Sequence, residues 1–107
     1  MSNKYNYQIT PIAEQDIDSA LAYISENLSN PKAAADLFLE IERAINEICT
    51  VPYGFPDCEI YLISDENIRH VPIDNYILVY EISGEENKIN ILRFRYAKMK
   101  LANLPVK

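Results

Sequence analysis

The chain has 107 residues, of which 49% are hydrophobic and 24% charged, and its net charge is −6. This length and composition are typical of one globular domain and exclude a disordered chain or a second independent core. Two glycines and a single histidine, His70, exclude a glycine-rich phosphate loop and argue against a zinc site, so we expect no cofactor and no metal.

The charges are divided unevenly along the chain. Residues 1–87 contain all sixteen acidic residues and four basic ones, whereas residues 88–107 contain six basic residues and no acid. A molecule polarised in this way can meet an anionic partner at one end while repelling it elsewhere.

The sequence also indicates the cellular compartment of the protein. The N-terminus has no apolar signal-peptide core, and no apolar run is long enough to span a bilayer. We therefore expect a cytoplasmic protein that does not contact membranes. In that compartment Cys49 and Cys58 are expected to remain reduced thiols.

The N-terminal half predicts a strand and two helices. Residues 5–9 alternate apolar and polar side chains, as in a half-buried strand. Thr10-Pro11 and Asn30-Pro31 each combine an N-cap residue with proline at the first helical position. Val51-Pro52 ends the second helix, because proline disfavours helical geometry in the residue before it. Both helices carry an apolar stripe at three- and four-residue steps: Ala13, Ile17, Ala20, Leu21, Ile24 and Leu28, then Ala34, Leu37, Phe38, Ile41, Ala44, Ile45 and Ile48.

The C-terminal half predicts a meander of three strands. Residues 53–67 are expected to form a loop, with a short extended piece at residues 59–63. Strands follow at residues 68–73, 76–82 and 88–96, joined by a turn and a hairpin loop. We expect one α+β domain over residues 1–107, in the order β-α-α-β-β-β. Its antiparallel two-helix hairpin packs on a twisted antiparallel sheet.

The last strand carries the best candidate binding site. Side chains alternate faces in a strand, so Arg93 and Arg95 share the face opposite to the apolar Leu92, Phe94 and Tyr96. Lys98 and Lys100 follow, and Arg69 joins the group if its register puts it on the same face. Arginine grips phosphate with paired hydrogen bonds. The common alternative for any one of these side chains is a solubilising role or pairing with an acid.

No catalytic motif stands out beside this basic group. The ordinary pKa of histidine suits proton transfer, but a lone histidine such as His70 in a strand is more often structural. No Ser-His-Asp set or paired carboxylates are found. An enzyme would therefore have to act through arginine, lysine and either tyrosine or histidine.

The order and spacing of several segments resemble the RelE/ParE superfamily of bacterial toxins from type II toxin–antitoxin modules. The resemblance covers residues 5–101. Its segments are YQITPIAEQDI at residues 7–17, AYI at 22–24, the Ala33-Ala34, Phe38 and Ile41 positions, Pro52, RHVPIDNYILVY at 69–80 and ILRFRY at 91–96.

The resemblance implies a toxin that arrests growth, and so stabilises plasmids, when it is released from a cognate antitoxin that wraps its working surface. The long helical hairpin is more similar to the ParE branch, which poisons DNA gyrase, than to the RelE branch, which cleaves messenger RNA in the ribosomal A site. We expect Arg93, Arg95, Lys98 and Lys100 to contact the target. The toxin partners are thus an antitoxin and either gyrase or the ribosome with its mRNA.

A RelE-like endoribonuclease remains the alternative, and the resemblance then assigns catalysis to Arg69, Arg95, Tyr96 and Lys98. Such cleavage is metal-independent and requires cations for the scissile phosphate and groups that move protons. Ala97 and Met99 interrupt the basic run of that branch, and the acidic excess over residues 1–87 opposes approach to RNA. A degenerate toxin that only binds antitoxin is the third hypothesis.

Overall fold

The computed structural model describes residues 5–55 and 67–97. Its helices are α1 (Pro11–Ala22) and α2 (Pro31–Thr50), and its strands are β1 (Asn6–Ile9), β2 (Ile68–Ile73), β3 (Tyr76–Ser83) and β4 (Lys88–Tyr96). The predicted α+β fold and the order of its elements are confirmed. The extended piece expected at residues 59–63, Cys58 and the basic tail from residue 98 onward lie outside the described residues.

Both predicted N-caps are present. The Thr10 hydroxyl accepts a hydrogen bond from the Ala13 N–H at 3.2 Å, and the Asn30 side chain accepts one from the Ala33 N–H at 3.1 Å. α2 ends at the residue before Val51-Pro52, as proline geometry requires. A 3₁₀ turn, Pro52–Gly54, follows. None of the helices in the described ranges is long and apolar enough to cross a membrane.

The first helix is less regular than its apolar stripe predicts. α1 ends at Ala22 and continues as a π-helical turn, Tyr23–Asn27, in which the Leu28 N–H donates to the Tyr23 carbonyl at 3.1 Å. Leu28 is 55% exposed. The widened turn therefore takes the last residue of the predicted stripe out of the core.

The sheet has the strand order β1-β4-β3-β2. β2, β3 and β4 form the predicted antiparallel meander. β1 pairs with β4 in parallel, from Asn6 opposite Lys88 to Ile9 opposite Ile91, so the complete sheet is mixed rather than antiparallel. β1 occupies an edge, beside only the first half of β4.

A bulge interrupts β4. Val79 lies opposite Arg93 while Tyr80 lies opposite Ile91, which leaves Leu92 as an extra residue. The bulge lets Ile91 and Phe94, three residues apart, both point into the core. That core lies between the helices and one sheet face, and its buried members include Ala13, Ile17, Leu37, Ile41, Ile45, Ile48, Leu78, Tyr80, Ile89, Ile91 and Phe94.

Candidate target-binding site

Arg93 lies on the sheet face opposite to the core, as the strand alternation predicts, but its side chain is buried. Its guanidinium contacts the Asp16 carboxylate of α1 through Nε at 2.8 Å and through a terminal nitrogen at 3.2 Å. The arginine is 3% exposed. Such a paired, charge-assisted contact satisfies both groups in the interior. Arg93 therefore joins α1 to β4 and has little surface left for a target.

Asp16 also closes the open edge of β4. β1 ends at Ile9, after which the Thr10 N–H donates to the Ile91 carbonyl at 3.1 Å and the chain turns into α1. After Ile91, β4 is therefore no longer paired with β1. The Asp16 carboxylate takes its place by accepting a hydrogen bond from the Phe94 N–H at 3.1 Å. One carboxylate thus binds a strand edge and an arginine together.

Arg95 contacts the same Asp16 carboxylate, but its side chain is more exposed to solvent than that of Arg93. Its Nη1 lies 3.6 Å from Asp16 Oδ1, and its side chain is 24% exposed. Within residues 5–55 and 67–97, the Asp16 carboxylate therefore faces two guanidinium groups. Of the two arginines, Arg95 is the one that reaches the surface.

Tyr96 lies at the end of β4 on the other face from Arg95. It is 39% exposed and packs edge-to-face on Tyr76, with ring centres 5.7 Å apart. Tyr76 in turn stacks on Phe94 at 4.8 Å. Burial, and to a lesser extent the neighbouring Tyr96, Tyr23 and Asp74, raise the pKa of Tyr76. This end of β4 therefore combines an aromatic row with the partly exposed Arg95.

Arg69 is not on the face of Arg93 and Arg95. It pairs with Tyr80, whose ring is in the core, so strand alternation puts it on the helix-covered face. There its Nη1 donates to the carbonyls of Phe55 at 2.7 Å and Tyr53 at 3.3 Å. Its guanidinium carbon also lies 5.3 Å from the centre of the Tyr53 ring. These contacts hold the Pro52–Gly54 turn against the sheet.

Tyr80 supports the same turn from inside the core. Its hydroxyl donates to the Pro52 carbonyl at 2.6 Å, and its ring packs edge-to-face on Phe55 at 6.4 Å. Burial raises the pKa of Tyr80 well above its ordinary value, while the nearby Arg69 opposes that rise. The turn that follows α2 therefore depends on one arginine and one buried tyrosine.

The residues proposed for RNA cleavage are not brought together in the described part of the chain. Arg69 lies opposite Tyr80, whereas Tyr96 lies opposite Tyr76. Four positions along β3 and two strand spacings separate them by about 16 Å. Arg95 is on the opposite face from both. Lys98 and Lys100 lie outside the described residues, so their place beside Arg95 stays a prediction.

The remaining titratable candidates do not form a site. His70 lies on the outer face opposite Val79, and its Nδ1 is buried with no hydrogen-bond partner within residues 5–55 and 67–97. In those same ranges no three His, Cys, Asp or Glu side chains are grouped as metal ligands. Because Val79 also lies opposite Arg93, the histidine and Arg93 share the outer face, about 10 Å apart across β3.

The sequence pattern did not predict that Asp16 contacts Arg93. A signal was available, because residues 88–107 contain two strand arginines and no acid. A buried arginine needs a counter-charge, which had to come from elsewhere in the chain.

The chain matches the family described as "ParE toxin of type II toxin-antitoxin system, parDE" over residues 7–101. No relative was found among the curated protein sequences. Among solved structures, the chromosomal ParDE toxin–antitoxin system from P. aeruginosa is similar at a TM-score of 0.70 and 16% identity, covering 91% of this chain and 100% of that one.

A second similar structure is the RelBE2 toxin–antitoxin complex from Mycobacterium tuberculosis. Its TM-score is 0.60 at 20% identity, and the match covers 89% of this chain and 94% of that one. At such identities the structural likeness shows the fold, whereas the family match covers nearly the whole chain. This protein belongs to the ParE toxin family of type II toxin–antitoxin systems.

Proposed function

We propose that this toxin arrests growth, when free of its antitoxin, by binding and inhibiting DNA gyrase. The contact surface is the end of β4, where Arg95 is the partly exposed cation, together with Lys98 and Lys100 that follow it in sequence. Arg93 contributes by holding β4 against α1 rather than by touching the target, because it is 3% exposed.

The observation that carries the choice of mechanism is the separation of Arg69 from Arg95. Cleavage of a phosphodiester requires cations and proton-transfer groups within hydrogen-bond reach of one phosphate. Arg69 is bound to the carbonyls of Tyr53 and Phe55 on one sheet face, and Arg95 lies on the other. This arrangement supports a toxin that acts by binding rather than by RNA hydrolysis.

The charge distribution supports the same choice. Residues 1–87 contain sixteen acids and four basic residues, so most of the surface repels the phosphates of ribosomal RNA. Asp16 further offsets the positive charge of Arg93 and Arg95. A protein target carries no comparable penalty.

The test is controlled expression together with a supercoiling assay on purified gyrase. The proposal expects relaxed or broken plasmid and DNA-damage signalling while translation is still intact. It also expects the purified protein to inhibit supercoiling. An immediate fall in translation with new mRNA ends at A-site positions would instead establish the ribonuclease. Antitoxin binding with neither effect would establish a degenerate toxin.

The contact surface has its own test. Replacing Arg95 and Lys98 together by Ala is expected to relieve growth arrest and inhibition of gyrase by at least ten-fold. Arg43→Ala is the matched control, because it removes an exposed arginine from α2. If the double variant stayed as toxic as the control, the end of β4 would not be the working surface.

A further inference from the structure

An aromatic patch lies at one end of the sheet, beside the turn that joins β2 to β3. It consists of Tyr76, the first residue of β3, Tyr96, the last residue of β4, and Tyr23, the first residue of the π-helical turn. Tyr76 and Tyr96 lie opposite each other in the sheet. Burial raises the pKa of Tyr76, and Tyr96 and Tyr23 raise it further, so the three hydroxyl groups are close enough to interact.

The aromatic patch is open to a partner although it belongs to the helix-covered face of the sheet. Tyr76 packs against the core, and strand pairing puts Tyr96 on the same face. Tyr96 is nevertheless 39% exposed, and Tyr23 is 52% exposed. The helices therefore leave this end of the face uncovered, with two tyrosine side chains accessible there.

The two strand tyrosines are held in place before any partner binds. The ring of Tyr76 stacks on the buried Phe94 with ring centres 4.8 Å apart, and it packs edge-to-face on Tyr96 at 5.7 Å. The Ala97 N–H donates to the Asn75 carbonyl at 2.8 Å, which fixes the end of β4 beside the turn. Side chains that are already fixed lose little conformational entropy on binding.

The π-helical turn presents the third tyrosine. The Leu28 N–H donates to the Tyr23 carbonyl across this widened turn at 3.1 Å. Single π-helical turns are rare and are frequent at functional sites. The irregular part of the first helix thus begins at a residue of the aromatic patch.

The surroundings of the aromatic patch favour a protein partner over a nucleic acid. Tyrosine rings can stack on bases or pack against apolar protein surfaces. Asp74 is among the groups that raise the pKa of Tyr76, so a carboxylate lies near the rings, where it repels a phosphate. Arg95, on the other face of β4 beside Tyr96, supplies a cation at the same strand end. An apolar protein surface with an acidic edge fits both features.

We infer that the aromatic patch is the anchor by which the toxin holds gyrase: its rings pack against an apolar part of the gyrase surface, and Arg95 faces an acidic group at the edge. The inference rests on the proposed function, since it takes gyrase as the partner. Tyrosine and arginine are among the residue types that dominate binding energy at protein interfaces. Because such a contact buries ring area, the rings rather than the hydroxyl groups carry the affinity.

Inhibition of supercoiling by purified gyrase measures this contact. Tyr23→Ala with Tyr96→Ala should raise the toxin concentration needed for half-inhibition by about ten-fold or more. Tyr23→Phe with Tyr96→Phe should stay within about two-fold of the wild type, because both rings remain. The control is Tyr7→Ala with Leu39→Ala, which removes two side chains of similar exposure from β1 and α2. It should also change inhibition by less than about two-fold.

A cross-link locates the contact without removing the strand tyrosines. Benzoylphenylalanine in place of Tyr23 should cross-link to gyrase on irradiation, whereas the same group in place of Leu39 should not. Melting temperatures show whether each variant is folded. The cross-link and the phenylalanine variant decide the question if the alanine variant does not fold.

Several results would overturn the inference and leave gyrase as the target. They are a folded alanine variant as potent as the control, a phenylalanine variant as weak as the alanine variant, or no cross-link from position 23. Binding of the toxin alone to a single-stranded DNA oligonucleotide, lost in the alanine variant, would assign the aromatic patch to nucleic acid instead. Failure of the wild-type toxin to inhibit gyrase would overturn both the inference and the proposed function.

Discussion

Arg69 and Arg93 lie on opposite faces of one sheet, and each links the sheet to a different element, Arg69 to the turn after α2 and Arg93 to α1. Arg93 is 3% exposed and meets a carboxylate 77 residues away in sequence. Arg69 meets uncharged carbonyls of Tyr53 and Phe55 and the face of a tyrosine ring. A buried charged group has lost more of its hydration than a partly exposed one, so it depends more strongly on the partners that it contacts. Removing the contact of Arg93 should therefore lower the free energy of unfolding by more than removing the contacts of Arg69.

The largest expected effect is at the buried site. Asp16→Ala removes the carboxylate that contacts the buried Arg93 guanidinium and also the acceptor of the Phe94 N–H, so the free energy of unfolding should fall by about 3 kcal/mol or more. Urea denaturation measures this. Asp18→Ala is the control, because it removes an exposed acid two residues away and should change stability by less than about 0.5 kcal/mol. Similar losses for both variants would show that Asp16 is not a structural partner.

Arg69→Ala tests the stability contribution of the second arginine in this comparison. It should lower the free energy of unfolding by about 1–2 kcal/mol, because Arg69 is only partly buried and its bonds to Tyr53 and Phe55 are to neutral carbonyls. Amide exchange in the Pro52–Gly54 turn should accelerate, while growth arrest by the folded protein should be unchanged. A loss of toxicity without a loss of stability would favour the ribonuclease hypothesis instead.

The turn held by Arg69 can also be weakened from inside the core. Tyr80→Phe removes the donor to the Pro52 carbonyl and should cost about 1–2 kcal/mol, whereas Tyr23→Phe, at an exposed position, should cost almost nothing.

The pKa of Tyr80 is raised in the folded state, so above pH 10 the folded chain retains a proton that the unfolded chain loses. Stability should then fall as pH rises, by up to about 1.4 kcal/mol per pH unit for this group, and Tyr80→Phe should remove that slope. Urea denaturation between pH 9 and pH 11 tests it. An unchanged slope in the variant would assign the pH dependence to other groups.

The smallest effect is expected where an ion pair is exposed. Lys32 and Asp36 lie 3.1 Å apart on α2 with side chains 86% and 57% exposed. Solvent screens such a pair, so Lys32→Ala should change the unfolding free energy by less than about 0.5 kcal/mol. Denaturation in the same buffer as Asp16→Ala makes the contrast direct. If Lys32→Ala lowered the free energy of unfolding as much as Asp16→Ala, burial would not be what makes the Asp16 contact strong.

Much of the fold follows from local patterns. The ends of β2 and β4 match the predicted residues, and β3 is one residue longer than predicted. Prolines and N-caps locate both helix starts and the end of α2, because these signals act within a few residues. The π-helical turn after Ala22 has no such local signal, and there the predicted helix was too regular.

The sequence by itself determined the α+β class, the order of elements and the presence of arginines in the last strand, because periodicity and capping are properties of neighbouring residues. Tertiary structure alone decided that β1 joins β4 in parallel and that the bulge at Leu92 turns Ile91 and Phe94 to one side. It alone also decided that Asp16 meets Arg93. Those outcomes depend on register and on contacts between residues far apart in the chain, which no local pattern encodes.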